Sequence, residues 1–136
     1  MAKKIYIVED DANILYGLQA KLSLAGFLVE VSNGNLEIEN LMDNIKKADP
    51  DFIILDLILP RIDGFEVVKA IRADQNISNL PIFIFTNLSD QDTRSRSAAL
   101  GVSYFFIKND FNVDNFASKV KKIIENIENS EKPKKL

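Results

Sequence analysis

The sequence predicts an α/β protein in which five strands alternate with five helices and form one parallel sheet covered on both faces. Three observations carry this. Short apolar runs rich in β-formers recur at residues 5–8, 52–55, 81–85 and 102–107, with helical patterns between them. Those four runs are continuous rather than alternating, which marks strands buried on both sides. Each run also delivers a polar group at its carboxyl end: Glu9 and Asp10, Asp56, Thr86 and Lys108. Ligands of open α/β sheets bind at that edge.

The elements follow in order. After the first strand, Leu15, Leu18, Leu22 and Ala25 line one helix face, and Gly26 is the stop. Residues 27–31 form a short strand closed by an Asn33-Gly34 turn. Leu36, Leu41, Met42 and Ile45 mark a second helix that ends before Pro50. The 52–55 strand ends at Asp56, and the chain breaks at Pro60 and turns at Asp63-Gly64. Phe65, Val68 and Ile71 give the third helix its stripe, and Pro81 is tolerated at the first position of the fourth strand. Ser89 and Asp92 resemble a capping box for a fourth helix over residues 90–100, which carries no large apolar residue before Leu100. Weak anchoring of that helix is expected, with Gly101 as its stop. Asn112 caps the last helix, whose buried face is Phe116, Val120, Ile123, Ile124 and Ile127. Residues 1–128 form the domain, and residues 129–136, charged and containing Pro133, are expected to be a disordered tail.

Composition excludes several chemistries. The 136 residues are enough for a real core, and 46% hydrophobic content is ordinary for a globular chain. There is no cysteine, hence no disulfide framework, thiolate metal site or thiol nucleophile. There is no histidine, which removes the usual general base and transition-metal ligand. A net charge of −3 argues against nucleic acid as a direct partner. No apolar run reaches the roughly 18 residues of a membrane span. Met1-Ala2-Lys3-Lys4 leads into a strand without a signal-peptide pattern, so a cytoplasmic protein is expected.

In a parallel sheet the strand-end groups converge. Carboxylates gathered there repel one another, and a hard divalent cation relieves the repulsion. Mg2+ suits a site of few carboxylates, waters and a phosphate. A lysine and a hydroxyl opposite the acids fit an anion beside that metal: Lys108 pairs with one phosphoryl oxygen and Thr86 donates to another. Without His, Cys or an activated Ser, the best nucleophile is Asp56. The chemistry implied is phosphoryl transfer to Asp56.

At these residues the chain resembles the receiver domain of two-component response regulators. The matching elements are Val8-Glu9-Asp10-Asp11, Asp56 with Pro60 and Asp63-Gly64, Thr86, and Lys108, in family order over about residues 3–128. The resemblance implies the flavodoxin-like strand order 2-1-3-4-5, an order for which a receiver is itself a standard example. It implies Asp56 as phosphoacceptor, Asp10 as a direct Mg2+ ligand, Glu9 binding through water, and the Ile58 backbone carbonyl as a further ligand. Thr86 becomes the switch hydroxyl and Phe105 the switch aromatic, with static packing of Phe105 the competing reading. The fourth helix, fifth strand and fifth helix become the output face. The phosphodonor is a histidine kinase or histidine phosphotransfer protein, since this chain has no histidine. The downstream partner is an unknown protein, with no membrane role. The chain itself is a monomer or a weak, phosphorylation-linked dimer. Not an enzyme in the ordinary sense, it catalyses only its own aspartyl phosphorylation and dephosphorylation.

The sequence departs from the family pattern at two loops. Lys108 is followed by Asn109 rather than proline, and a cis bond to a non-proline residue costs roughly 3 kcal/mol. A trans peptide or a differently held loop is expected. Asn87 follows Thr86 where the family prefers a small residue, so restricted access is expected. Thr86-Asn87-Leu88 with Lys108-Asn109-Asp110-Phe111 resembles a group of stand-alone receivers. Ile58 and Leu88 are apolar at positions that tune acyl-phosphate hydrolysis in the family, so slow self-dephosphorylation is expected. Asp11 reads as an acid of the first helical turn rather than a ligand. Lys119, Lys121 and Lys122 read as a solvated face. Three other functions compete. A phosphatase with an aspartyl nucleophile wants a second acid at Ile58. A flavin or nucleotide binder wants a glycine-rich loop after the first strand. A receiver-like interaction module that is never phosphorylated stands as the alternative.

Overall fold

The computed structural model describes residues 2–131. Its sheet is built from β1 (Lys4–Val8), β2 (Leu28–Ser32), β3 (Phe52–Leu55), β4 (Ile82–Thr86) and β5 (Tyr104–Ile107). The helices are α1 (Ala12–Leu24), α2 (Ile38–Ala48), α3 (Gly64–Ala73), α4 (Gln91–Ala99) and α5 (Val113–Glu131), with a 3-10 turn at Lys108–Asp110. All strand pairs are parallel, in the order β2-β1-β3-β4-β5. This is the expected flavodoxin-like topology. Among the described residues, no helix is long and apolar enough to cross a membrane.

The continuous strands have a core on each side. Tyr6, Val8, Ile53, Leu55, Ile82 and Ile84 point toward α2 and α3, where Leu41, Ile45, Phe65, Val68 and Ile71 meet them. Ile5, Ile7, Phe52, Ile54, Phe83 and Phe85 point the other way, against Leu15, Leu18 and Leu22 of α1 and Phe116, Val120 and Ile124 of α5. Strand β2, the one without a continuous apolar run, lies at an edge and alternates, with Leu28 and Glu30 exposed. Strand β5 forms the other edge and is half-buried throughout.

Several boundaries differ from the sequence reading. Pro81 lies just before β4 rather than in it, and its carbonyl accepts from the Ile53 N–H at 3.1 Å. Leu36 precedes α2, which ends at Ala48 as Asp49 turns left-handed ahead of Pro50. Helix α5 continues through Glu131, so residues 129–131 are helical rather than part of a tail; residues 132–136 lie outside the described residues. Asn112 caps α5 as expected, its Oδ1 accepting from the Asn115 N–H at 2.7 Å.

Helix α4 is anchored by little apolar burial, as expected, but its cap differs from the sequence reading. Its cap is Asp90, whose Oδ2 accepts from the Thr93 N–H at 3.1 Å and whose Oδ1 accepts from the Thr93 hydroxyl at 2.6 Å. Ser89 lies one residue outside, and the anticipated Ser89–Asp92 box does not form. The buried residues of α4 are Thr93 and Ser97, both small and polar. Two cations supply the rest: the Arg94 guanidinium lies 5.0 Å from the Phe105 ring centroid, and that of Arg96 lies 3.9 Å from Phe65. At the far end, Gly101 stops the helix with φ of +75°, a conformation that costs a residue bearing Cβ.

Arg72 of α3 holds the loops that enter β4 and β5. Its guanidinium donates to the carbonyls of Leu100 (2.8 Å), Ser78 (3.0 Å), Leu80 (2.8 Å) and Gly101 (3.3 Å). Arg72→Met keeps the apolar stem but strips those carbonyls of their donor. It is expected to cost about 2 kcal/mol in urea unfolding, because partly buried acceptors are left unpaired.

Candidate functional site

Sheet register brings the acids together. Val8 pairs with Leu55, so Glu9 and Asp56 leave adjacent strands side by side. The Asp56 N–H donates to the Val8 carbonyl at 3.1 Å, and the Glu9 N–H to the Ser32 carbonyl at 3.1 Å. Thr86 pairs with Ile107, which places Lys108 one residue beyond the end of that ladder.

Lys108 closes the cluster. Its Nζ lies 2.7 Å from Asp56 Oδ2, 2.8 Å from Glu9 Oε1 and 3.0 Å from Glu9 Oε2. Glu9 and Asp56 are buried, at 2% and 4% exposure, whereas Asp10 is open to solvent. The other Asp56 oxygen, Oδ1, accepts from the Ile58 N–H at 3.1 Å. Burial pushes the Glu9 carboxyl up to about 6, against the pull of its hydrogen bonds to Lys108 and the Asp11 N–H. Burial alone would lower the Lys108 ammonium; its bonds to Asp56 and Glu9 reverse this and hold it above its ordinary value.

Carboxylate oxygens of Glu9, Asp10 and Asp56 lie within 4.8 Å of one another. Three carboxylates face one ammonium, so the cluster keeps an excess of negative charge on hard oxygen donors. That donor set suits a dication such as Mg2+. The fit rests on chemistry as well as spacing: only oxygen is offered, and part of the cluster faces water.

Asp11 stands outside the cluster. It is the N-cap of α1, accepting from the Ile14 N–H at 3.1 Å, one residue before the first turn in which the sequence reading puts it. Thr86 is fully buried, and its Oγ1 accepts from the Leu88 N–H at a long 3.4 Å. Among the described residues it forms no hydrogen bond to the carboxylates. Phe105 is half-buried against the α2–α3 core and lies under Arg94. The Lys108–Asn109 peptide is trans, since the described chain has no cis bond, and Lys108 still reaches both acids.

Two features were not visible in the sequence. Asn87 is exposed, and its Oδ1 accepts from the Asn109 N–H at 3.1 Å. Gly64 does more than turn the chain. Asp63 caps α3 by accepting from the Phe65 N–H at 2.9 Å, and a Cβ on Gly64 would lie 2.4 Å from Leu57 Cα and 2.6 Å from the Asp56 carbonyl oxygen. The start of α3 therefore packs directly on the backbone that carries Asp56. The signal available in the sequence was the bare pairing of Asp63 with Gly64 after a proline.

The fold and this cluster together define a receiver. The family model for the response regulator receiver domain matches residues 5–121, and the chain belongs to that family. It is 34% identical over 106 residues to a probable transcriptional regulator, ycf27, of Guillardia theta, covering 78% of this chain and 39% of that protein. It is 30% identical to the transcriptional regulatory protein PrrA of Mycobacterium leprae, covering 77% and 43%. The chain thus spans about two fifths of the length of these curated relatives. Among solved structures, the chemotaxis response regulator CheY4 of Vibrio cholerae matches with a TM-score of 0.77 at 25% identity, over 90% of this chain and 99% of that one. The phosphorylated cyanobacterial phytochrome response regulator RcpA matches at 0.76 and 26%, over 92% and 93%.

Gly64→Ala tests the close approach. The atoms a new Cβ would meet are backbone, which cannot swing away. A loss of about 3 kcal/mol in urea unfolding is expected, because an overpacked site must shift its main chain.

Proposed function

We propose that this receiver, taken as residues 1–128, is a phosphorylation-dependent switch that accepts a phosphoryl group on Asp56 from the phosphohistidine of a partner kinase or phosphotransfer protein. The observation that carries the reading is the setting of Asp56: a buried carboxylate with one oxygen on the Ile58 N–H and the other on Lys108, beside Glu9 and Asp10. Output through protein–protein contacts at α4, β5 and α5 completes the proposal.

In the transfer, an Asp56 oxygen forms the new bond to phosphorus as the phosphorus–nitrogen bond of the donor breaks. The imidazole keeps the electron pair and leaves neutral or protonated. Lys108 moves from the carboxylate oxygen to an oxygen of the incoming group, a shift its flexible stem permits. Glu9, Asp10, Asp56 and the Ile58 carbonyl are the groups that would hold Mg2+, which when bound spreads the charge on the transferring phosphoryl oxygens. Thr86 gives up its long contact with the Leu88 N–H, a weak bond to lose, and its hydroxyl donates to the phosphoryl group. Phe105, under Arg94 and next to α4, is the side chain placed to register that movement.

Intact mass after incubation with Mg2+ and acetyl phosphate tests this. A gain of one phosphoryl group is expected, absent in Asp56→Asn and abolished by chelating the metal. No gain from acetyl phosphate or from a phosphohistidine protein would overturn the reading in favour of an unphosphorylated interaction module.

Ile58 is 52% exposed and Leu88 is partly buried against the core; both side chains are apolar, and neither can hold an attacking water. Phospho-Asp56 is therefore expected to persist for minutes or longer. Ile58→Asn should shorten that lifetime severalfold. Loss within seconds in the unaltered protein would show that another group orients the water.

A further inference from the structure

We propose that Asn87 is a positioning residue for Lys108, acting through the backbone of Asn109. The inference rests on the reading of Lys108 as the group that meets the phosphoryl oxygen.

Lys108 opens a 3-10 turn, Lys108–Asp110, one residue past the Thr86–Ile107 end of the β4–β5 ladder. The first N–H groups of any helical turn lack partners within it and need an acceptor from outside. Here the acceptor comes from 22 residues earlier: Asn87 Oδ1 takes the Asn109 N–H at 3.1 Å. The side chain of Asn87 thus adds one more link between β4 and β5 where the backbone ladder has run out.

The turn is fixed at its other end as well. The Phe111 N–H donates to the Lys108 carbonyl at 3.1 Å. The Phe111 ring packs edge-on against Phe85, Phe106 and Phe116, at centroid separations of 6.4, 5.7 and 5.9 Å. The peptide between Lys108 and Asn109 is therefore held by Phe111 on one side and Asn87 on the other. The lysine stem has four rotatable carbons, yet Nζ must stay within 3.0 Å of three carboxylate oxygens. A fixed Cα makes that possible.

The two residues are chemically matched. A carboxamide oxygen at position 87 is useful only if position 109 offers an N–H, and a proline there would offer none. Asn87 also directly follows Thr86, so a movement of Thr86 toward Asp56 pulls on the same bond that seats Lys108. The clamp links the hydroxyl and the ammonium that the phosphoryl group is to meet.

The test reads Lys108 directly, by NMR of its 15Nζ ammonium signal, which persists only while the ammonium is held from exchange with water. Asn87→Ala should broaden or remove this signal and speed hydrogen exchange at the Asn109 amide about fivefold, the worth of one net hydrogen bond. Asn87→Asp, which keeps the acceptor oxygen, should restore both. Phosphorylation by acetyl phosphate should slow about fivefold in Asn87→Ala. In an Asn109→Pro background, the same substitution should have no further effect. An unchanged Lys108 signal in Asn87→Ala, or an equal effect of that substitution with proline at position 109, would overturn the proposal. If the unaltered protein gains no phosphoryl group at all, the switch reading fails, while the ammonium signal and amide exchange still decide the clamp.

Discussion

The structure depends on one ammonium between two buried carboxylates. Lys108 Nζ ties Glu9 at the end of β1 to Asp56 at the end of β3, and does so from the end of β5. Removing these charges from water is costly, and their mutual attraction offsets that only if the geometry is tight. The geometry is supplied from below by the sheet: register aligns Val8 with Leu55 and Thr86 with Ile107, and the two cores hold that register. The same pairing leaves a local excess of negative charge, with Glu9 held well above the usual carboxylate range by burial. A site built this way forms with every buried side-chain polar atom paired among the described residues, yet keeps more negative than positive charge.

Much of this was legible because burial on both faces of a strand leaves an unmistakable trace. The runs at residues 5–8 and 52–55 are apolar without interruption, and the acids that follow them break the pattern sharply. The strand-end groups could therefore be named and their convergence inferred from parallel pairing alone. Gly101 and Asn112 were also readable, since a stop and a cap act over a few residues of local chain.

What escaped was decided by contacts distant in sequence or by competition between near-equivalent residues. Ser89 and Asp90 are both fit to cap α4, and only the backbone geometry selects Asp90. The continuation of α5 to Glu131 crosses polar residues that carry no periodic signal. Asn87 and Asn109 were each visible as departures, but their partnership spans 22 residues and two strands. The seats of Arg94 and Arg96 have no local signal, because the rings of Phe105 and Phe65 beneath them come from other elements.

Helix α4 rests on the molecule by charge, hydroxyls and ring faces, with Arg72 gripping the chain just past its end. A helix seated on leucines could not shift without wetting apolar surface, and heat capacity would register the change. Helix α4 buries only Thr93 and Ser97, so displacing it uncovers almost no hydrocarbon of its own. Its rearrangement would register in heat capacity mainly through the Phe65 and Phe105 rings that its arginines cover. Such a step would then follow temperature along a straighter line than a hydrophobic latch, whose large heat-capacity change bends its dependence.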